Sequence, residues 1–174
     1  YATGFDAVTG AFDRVDFVGE NGKKLKSKWD DGPRTVYGLA VPDFPNMLTL
    51  AGPQSGSVAT NFPRGIEQAV EWCSDFLEYM FDNEVTYFNA NKDAEDFWAE
   101  HVQEMSDRIL FGREQSWFTG YNSNVDRKYT NRCLIYAGGQ IRFRNYLKDE
   151  REKGYPSFRL SGPSEDISHS RATS

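Results

Sequence analysis

The residues best suited to chemistry lie between Asn46 and Pro63. The run Asn46-Met47-Leu48-Thr49-Leu50-Ala51-Gly52-Pro53-Gln54-Ser55-Gly56-Ser57 continues through Val58, Ala59 and Thr60 into Asn61-Phe62-Pro63. It reads as strand, glycine-rich turn and helix start. Such an arrangement aims several backbone N–H groups and the positive end of a helix at one place, which suits an electron-rich, partly anionic ligand. Ordinary strand-to-helix loops carry the same signals, so the spacing alone leaves both readings open. Two further stretches could take part. In Ala2-Thr3-Gly4-Phe5-Asp6, a strand end carries a glycine that permits close backbone approach, and Asp6 suits turn capping. In Ser116-Trp117-Phe118-Thr119-Gly120-Tyr121-Asn122, an aromatic pair sits in a polar loop. It reads either as a hydrophobic staple for that loop or as a rigid indole donor whose bulk keeps water from a reactive centre.

Other residue types exclude whole classes of chemistry. His101 falls on a helix and His169 in a polar tail, and neither has a partner at catalytic or metal spacing. Cys73 and Cys133 are far apart and outside any metal spacing, so they read as reduced thiols packed like small apolar residues. No metal site is expected. No G-x-G-x-x-G fingerprint is present. The net charge of −6, with basic residues scattered among acidic ones, argues against a general nucleic-acid surface. No apolar run has the length of a membrane span and no signal peptide is visible, which points to the cytoplasm. At 174 residues and 39% hydrophobic content the chain fits one globular domain. Aromatics reach 15%, enough for a large-ring core or a ring-lined site. The chain opens at Tyr1, in what reads as the end of a strand, which suggests the C-terminal piece of a longer polypeptide.

The elements that must position these residues follow from patterning. A short strand is expected over 1–5. Val15 to Val18 alternates like a half-buried strand, Asn21-Gly22 supplies a hairpin turn, and a second arm runs through Leu25, with the lysines of 23–28 forming a solvated arm. Residues 29–33 read as a loop, 35–41 as extended, and 42–45 as a rigid connector. Residues 47–51 read as a buried strand. A long helix starts at an Asn61 cap with Pro63 in its first turn, carries apolar residues at 66, 69, 70, 73, 76, 77, 80 and 81, and ends at Asp82-Asn83. Beyond it come a short strand at 85–88, a helix over 93–111, a polar loop over 112–132, and a helix from about Gln140 to Lys153 stopped by Gly154. Arg142 and Arg144 read as surface or interface residues. A polar tail follows Leu160. The pattern is α/β.

Phe44-Pro45-Asn46, Gly52-Pro53, Thr60-Asn61, Ile66-Glu67 and Val70-Glu71-Trp72 fall where type I Baeyer–Villiger monooxygenases have like residues, as do the Ala2–Asp6 and Ser116–Phe118 motifs. From Tyr1 to about Phe158 the chain resembles the C-terminal portion of such a class B flavin monooxygenase. The resemblance implies the C-terminal part of a FAD-binding two-dinucleotide-fold (Rossmann-like) enzyme, with C-terminal helices. Residues 1–34 would end the NADP-domain crossover and form a hairpin. Residues 35–160 would belong to the FAD domain, with a mobile loop at 112–132, and 161–174 would be a disordered tail. FAD and NADP are the implied cofactors. Thr3 and Gly4 would approach them through the backbone. Gly52, Pro53, Ser57, Asn61 and Phe62 would line the flavin, and Trp117 would bond the nicotinamide-side ribose through its indole N–H. Val58, Ala59 and Phe118 would border the ketone pocket.

The activity the resemblance implies is insertion of one oxygen atom of O2 beside a ketone carbonyl through a C4a-peroxyflavin, giving an ester or lactone. The family's fingerprints and active-site arginine precede this region, so no catalytic residue is expected here and these residues alone should be inactive. The chain departs from the family in carrying Asn124-Val125-Asp126-Arg127 where a glycine- and proline-containing turn is usual. Two alternatives stand beside this reading. One is a flavin monooxygenase that oxidises nitrogen or sulfur. The other is a non-enzymatic α/β interaction domain whose 116–121 loop is a partner-binding patch.

Overall fold

The computed structural model describes residues 8–56, 61–110, 116–121 and 132–163. Its elements in order are α1 (Leu25–Lys28), α2 (Phe62–Asp82), β1 (Tyr87–Ala90), α3 (Lys92–Asp107), α4 (Gln140–Glu152) and β2 (Phe158–Ser161). Helix α2 forms where the pattern places it. Asn61 Oδ1 accepts from the Arg64 N–H at 3.4 Å, and Pro63 occupies the first turn, where its missing N–H is not needed. At the other end, Asn83 closes the last turn by donating its backbone N–H to Tyr79 O at 3.1 Å and its Nδ2 to the same carbonyl at 2.8 Å. Strands β1 and β2 pair antiparallel, with Tyr87 opposite Ser161 and Ala90 opposite Phe158. Helix α4 starts after Gly139 and stops before Gly154, both at positive φ (86° and 73°).

The core is built from rings. Phe76 of α2 is fully buried and meets Trp72, Phe88, Tyr155 and Phe158, with centroids 4.6–5.3 Å apart. Trp98 of α3, also fully buried, packs against Tyr37 and Tyr136 at 4.9 Å each. The two ring groups share one cluster with Ala69, Val102, Phe143 and Leu147. A second cluster of Leu25, Trp29, Val41 and Phe44 sits under the N-terminal segment. Each large side chain buried in this way contributes about 1.5–3 kcal/mol of transfer free energy.

Several expected elements differ. The Asn-Gly turn forms, with Asn21 at φ 55° and Gly22 at 73°, but the hairpin reduces to one bridge between Val18 and Lys24. Its second arm coils into α1, because one helical turn puts Leu25 and Trp29 together in the second cluster. Lys23, Lys24 and Lys26 are exposed as expected, and Lys28 is the exception. Lys28 is 12% exposed and lies 3.6 Å from Asp43 and 3.3 Å from the buried Glu95. Residues 35–41 are not extended. They turn back on themselves through a bridge between Val36 and Ala40, with Tyr37 at φ 57° and Gly38 at 71°. A methyl at Gly38 would meet the Ser55 backbone nitrogen at 2.7 Å, so a side chain is excluded there twice over.

Residues 47–51 are not a buried strand. Thr49 donates its N–H to Leu39 O at 2.8 Å, Ala51 takes φ 54°, and Leu50 is half exposed. These bonds run to a turn rather than to a neighbouring strand. The last strand, β2, reaches Ser161, one residue into the expected tail. The expected strand at 1–5, and the remainder of the tail from 164, lie outside the described residues.

Phe76→Ala is expected to cost about 3–5 kcal/mol of unfolding free energy, the usual range for a fully buried phenylalanine. Equilibrium urea denaturation reads this directly. A loss below about 1 kcal/mol would show that the ring cluster does not carry the fold.

Candidate functional site

The turn at 52–56 is buried throughout. Three of its backbone donors are committed inward: Gly52 N–H to Gly38 O at 3.2 Å, Gln54 N–H to Leu134 O at 2.7 Å, and Ser55 N–H to Gly52 O at 3.1 Å. Pro53 has no N–H, and its carbonyl accepts from Thr35 Oγ1 at 2.9 Å. Of the donors expected in this turn, the Gly52 N–H faces inward and Pro53 has none. They shape the turn and offer no N–H to a bound group. A methyl at Gly52 would meet Gly38 O and Thr49 Oγ1 at 2.6 Å, which explains the glycine by close backbone packing.

Gln54 was not singled out from the sequence, and it holds the turn. At φ 66° it points its buried side chain at Thr35, where Oε1 accepts from the backbone N–H at 3.0 Å. Its own carbonyl accepts from Trp98 Nε1 at 3.1 Å. A glutamine between proline and serine gives no periodic signal, so sequence reasoning had nothing to find it by.

Leu134 joins two of the three candidate motifs. Its carbonyl accepts from Gln54, and its N–H donates to Phe118 O at 2.8 Å. The glycine turn and the aromatic loop are thus neighbours on either side of one residue. In that loop a turn of 3₁₀ helix, Trp117–Thr119, is closed on the Ser116 backbone: Ser116 N–H donates to Thr119 Oγ1 at 3.2 Å, Ser116 O accepts from the Thr119 N–H and hydroxyl at 2.9 Å each, and Gly120 ends the turn at φ 78°. Trp117 and Phe118 lie with ring centroids 3.8 Å apart. Phe118 packs against the main core, whereas Trp117 is 42% exposed. At the start of α2, Asn61 is exposed and Phe62 is 48% exposed. That helix end keeps its positive character, because Asn61 satisfies only part of the first turn. Thr3, Gly4, Ser57, Val58 and Ala59 lie outside the described residues.

A ring group flanks the turn. His101 Nε2 stands 3.3 Å from the Tyr136 hydroxyl, and its ring contacts Trp98, Tyr136 and Tyr146. Burial lowers its pKa below the usual 6.5. The nearby Arg142 and Arg108 act in the same direction, and Glu104 opposes them. Cys73 is a free thiol pushed up to about 11 by burial, so it is no nucleophile at neutral pH. Among the described residues, no group of His, Cys, Asp and Glu could hold a metal ion, and no helix is long and apolar enough to cross a membrane.

No family model matches the chain. Curated relatives do. Cyclohexanone 1,2-monooxygenase of Acinetobacter sp. is 36% identical over 166 residues, covering 95% of this chain and 30% of the relative. Acetone monooxygenase (methyl acetate-forming) of Gordonia sp. (strain TY-5) is 37% identical over 92% of this chain and 30% of its own length. A phenazine N-monooxygenase of Lysobacter antibioticus is 32% identical over 94% of this chain and 30% of its own length. Among solved structures, cyclohexanone monooxygenase from Rhodococcus sp. Phi1 bound to NADP+ superposes with a TM-score of 0.85 at 34% identity, over 92% of this chain and 29% of that one. OTEMO in complex with FAD and NADP superposes with a TM-score of 0.82 at 36% identity, again over 92% and 29%. The mixed helix-and-strand fold is thus a fragment of the Rossmann-type flavin monooxygenase fold. The chain spans about 30% of the length of the curated relatives it matches.

The His101 environment has a pH consequence. The folded state holds this imidazole neutral more firmly than the unfolded chain does. Its stabilising effect is complete above pH 6.5 and is lost as pH falls from there through the lowered folded pKa. His101→Phe should flatten the fall in unfolding free energy over that window. Asp43 and Asp96, held below 3.8 chiefly by their hydrogen bonds to Lys23 and Lys92, titrate at lower pH and should leave their own slope in place. Denaturation curves at several pH values separate the two.

Proposed function

The chain belongs to the type I Baeyer–Villiger monooxygenases as a piece of such an enzyme, and from that premise we propose that its parent polypeptide is a FAD- and NADPH-dependent monooxygenase that converts a ketone to an ester or lactone. One observation carries the reading. Over nine-tenths of its length the chain is about a third identical to enzymes named for cyclohexanone and acetone, and it superposes on structures holding FAD and NADP. NADPH, O2 and the ketone are the proposed small-molecule partners. The cytoplasm is the proposed location, a reading that two buried free thiols support.

The residues present fit these cofactors. The start of α2 is an exposed positive helix end beside a half-exposed ring, suited to the electron-rich edge of a flavin. Trp117 keeps a large exposed face, and its indole N–H has no acceptor among the described residues. We assign Asn61 and Phe62 to the flavin side, with Ser57 beside them, and Thr3 and Gly4 to backbone contacts with the cofactors. Gly52 and Pro53 set the position of α2 from within the fold. Trp117 would hold NADP by donating to its ribose, and would exclude water with its bulk. Val58, Ala59 and Phe118 border the ketone. When bound, FAD supplies the reaction with O2, and NADPH supplies the hydride that reduces it.

A second reading has its own support. The phenazine N-monooxygenase is 32% identical over 94% of this chain, so nitrogen oxidation by the same cofactors stands as the alternative. Product analysis with a cyclic ketone and with an aromatic amine or N-heterocycle separates the two.

In the full-length protein, Trp117→Ala is expected to raise KM for NADPH by up to roughly tenfold, the worth of about one hydrogen bond, and to raise hydrogen peroxide release per NADPH consumed. Comparing NADPH oxidation with ester formed measures both. Unchanged coupling and unchanged KM would sink the role assigned to Trp117.

A further inference from the structure

Asn21 is the only asparagine in the chain that precedes a glycine. Both residues are exposed, at the tip of the turn between Val18 and Lys24. Asn21 stands at φ 55° and ψ 27°, and Gly22 at φ 73°. A Cβ on Gly22 would meet nothing within 4 Å, so the backbone there can rotate without striking a neighbour. The Asn21 side-chain amide forms no hydrogen bond among the described residues. The other described asparagines are held. Asn46, Asn61, Asn83, Asn89 and Asn91 each use their side chain in a hydrogen bond. Asn145 lies inside α4, where the N–H that follows it belongs to the helix ladder. Asn21 alone among them thus combines an unheld amide with an unhindered backbone nitrogen next to it.

We propose that Asn21 is a self-modifying site, at which attack by the Gly22 backbone nitrogen on Asn21 Cγ converts the asparagine to aspartate and isoaspartate. The new N–Cγ bond closes a succinimide ring. The side-chain nitrogen leaves as ammonia, taking the proton that Gly22 gives up. One water then opens the ring. Breaking the N–Cγ bond leaves an ordinary aspartate. Breaking the bond to the main-chain carbonyl leaves isoaspartate, whose backbone runs through the side chain and is longer by a methylene. No oxidant or reductant takes part. The lengthened turn lies between fixed points. Glu20 accepts from the Tyr87 hydroxyl at 2.5 Å and from Asn89 Nδ2 at 3.1 Å, and Lys23 Nζ lies 2.7 Å from Asp43. The isoaspartyl link therefore loosens the hold on the segment that leads into α1. This reading stands apart from the proposed function and does not depend on it.

The test is to keep the folded full-length protein in mildly alkaline buffer and follow each asparagine by peptide mass spectrometry, with fragmentation that separates aspartate from isoaspartate. The expected result is conversion at Asn21 at least about tenfold faster than at any other described asparagine, with both products present. Comparable rates elsewhere, or aspartate without isoaspartate, overturn the proposal. So does a folded protein that keeps Asn21 intact while the urea-unfolded chain converts it, because the turn would then hold the two groups apart. Asn21→Gln moves the amide carbon further from the Gly22 nitrogen and breaks no hydrogen bond, so it should abolish the conversion at this position. A variant converted as fast as the parent protein overturns the ring-closure route. In the isoaspartyl fraction, hydrogen exchange of amides 18–25 should quicken by more than about threefold. Unchanged exchange overturns the loosening.

Discussion

A single buried amide decides the geometry of everything near the candidate site. Gln54 gives its N–H to Leu134, takes Trp98 Nε1 on its carbonyl, and takes the Thr35 N–H on its side chain. All of these partners are buried. The first two bonds are made by its backbone, so removing the side-chain amide would strand the buried Thr35 N–H alone, at about 1–3 kcal/mol. The segment between Val36 and Gly56 has no ladder of its own, so these bonds take the place a sheet would fill. They bring α3, the 134–136 segment and the turn that precedes α2 into one layer.

The ionic groups work on the other side of α3. Glu95 is fully buried within its own helix, yet Lys28 and Lys92 each approach it at 3.3 Å. Lys28 also reaches Asp43, and Arg34 pairs with Asp96. Such a buried carboxylate is tolerated only with its cations in place, so α1 must dock for α3 to be comfortable. The N-terminal segment is thus tied to the core by charge as well as by Trp29.

The elements that were legible in the sequence are those decided locally. Helix α2 announces itself through Asn61, Pro63 and about six turns of pattern, and α4 through Gly139 and Gly154. The Asn21-Gly22 turn was legible for the same reason. What failed depends on distant partners. Met47 to Ala51 has the composition of a strand, but its neighbours are the Val36–Ala40 turn and not another strand. The lysines of 23–28 look solvated until Glu95, far along the chain, claims one of them. At the site, Trp117 and the α2 cap could be picked out by residue type. The inward direction of the Gly52–Ser55 donors could not, since nothing local states which way a turn faces.

Ser116 and Thr119 stiffen the aromatic loop internally, while Phe118 anchors it through its carbonyl and its ring. Trp117 and Phe118 therefore ride on one small plate, with their rings in contact. Any displacement that brings the indole onto a nucleotide must carry the neighbouring ring along with it. In the proposed enzyme, cofactor grip and substrate preference would then be inherited together: a lineage that adapts one of them at this loop disturbs the other, and must repair it with changes elsewhere.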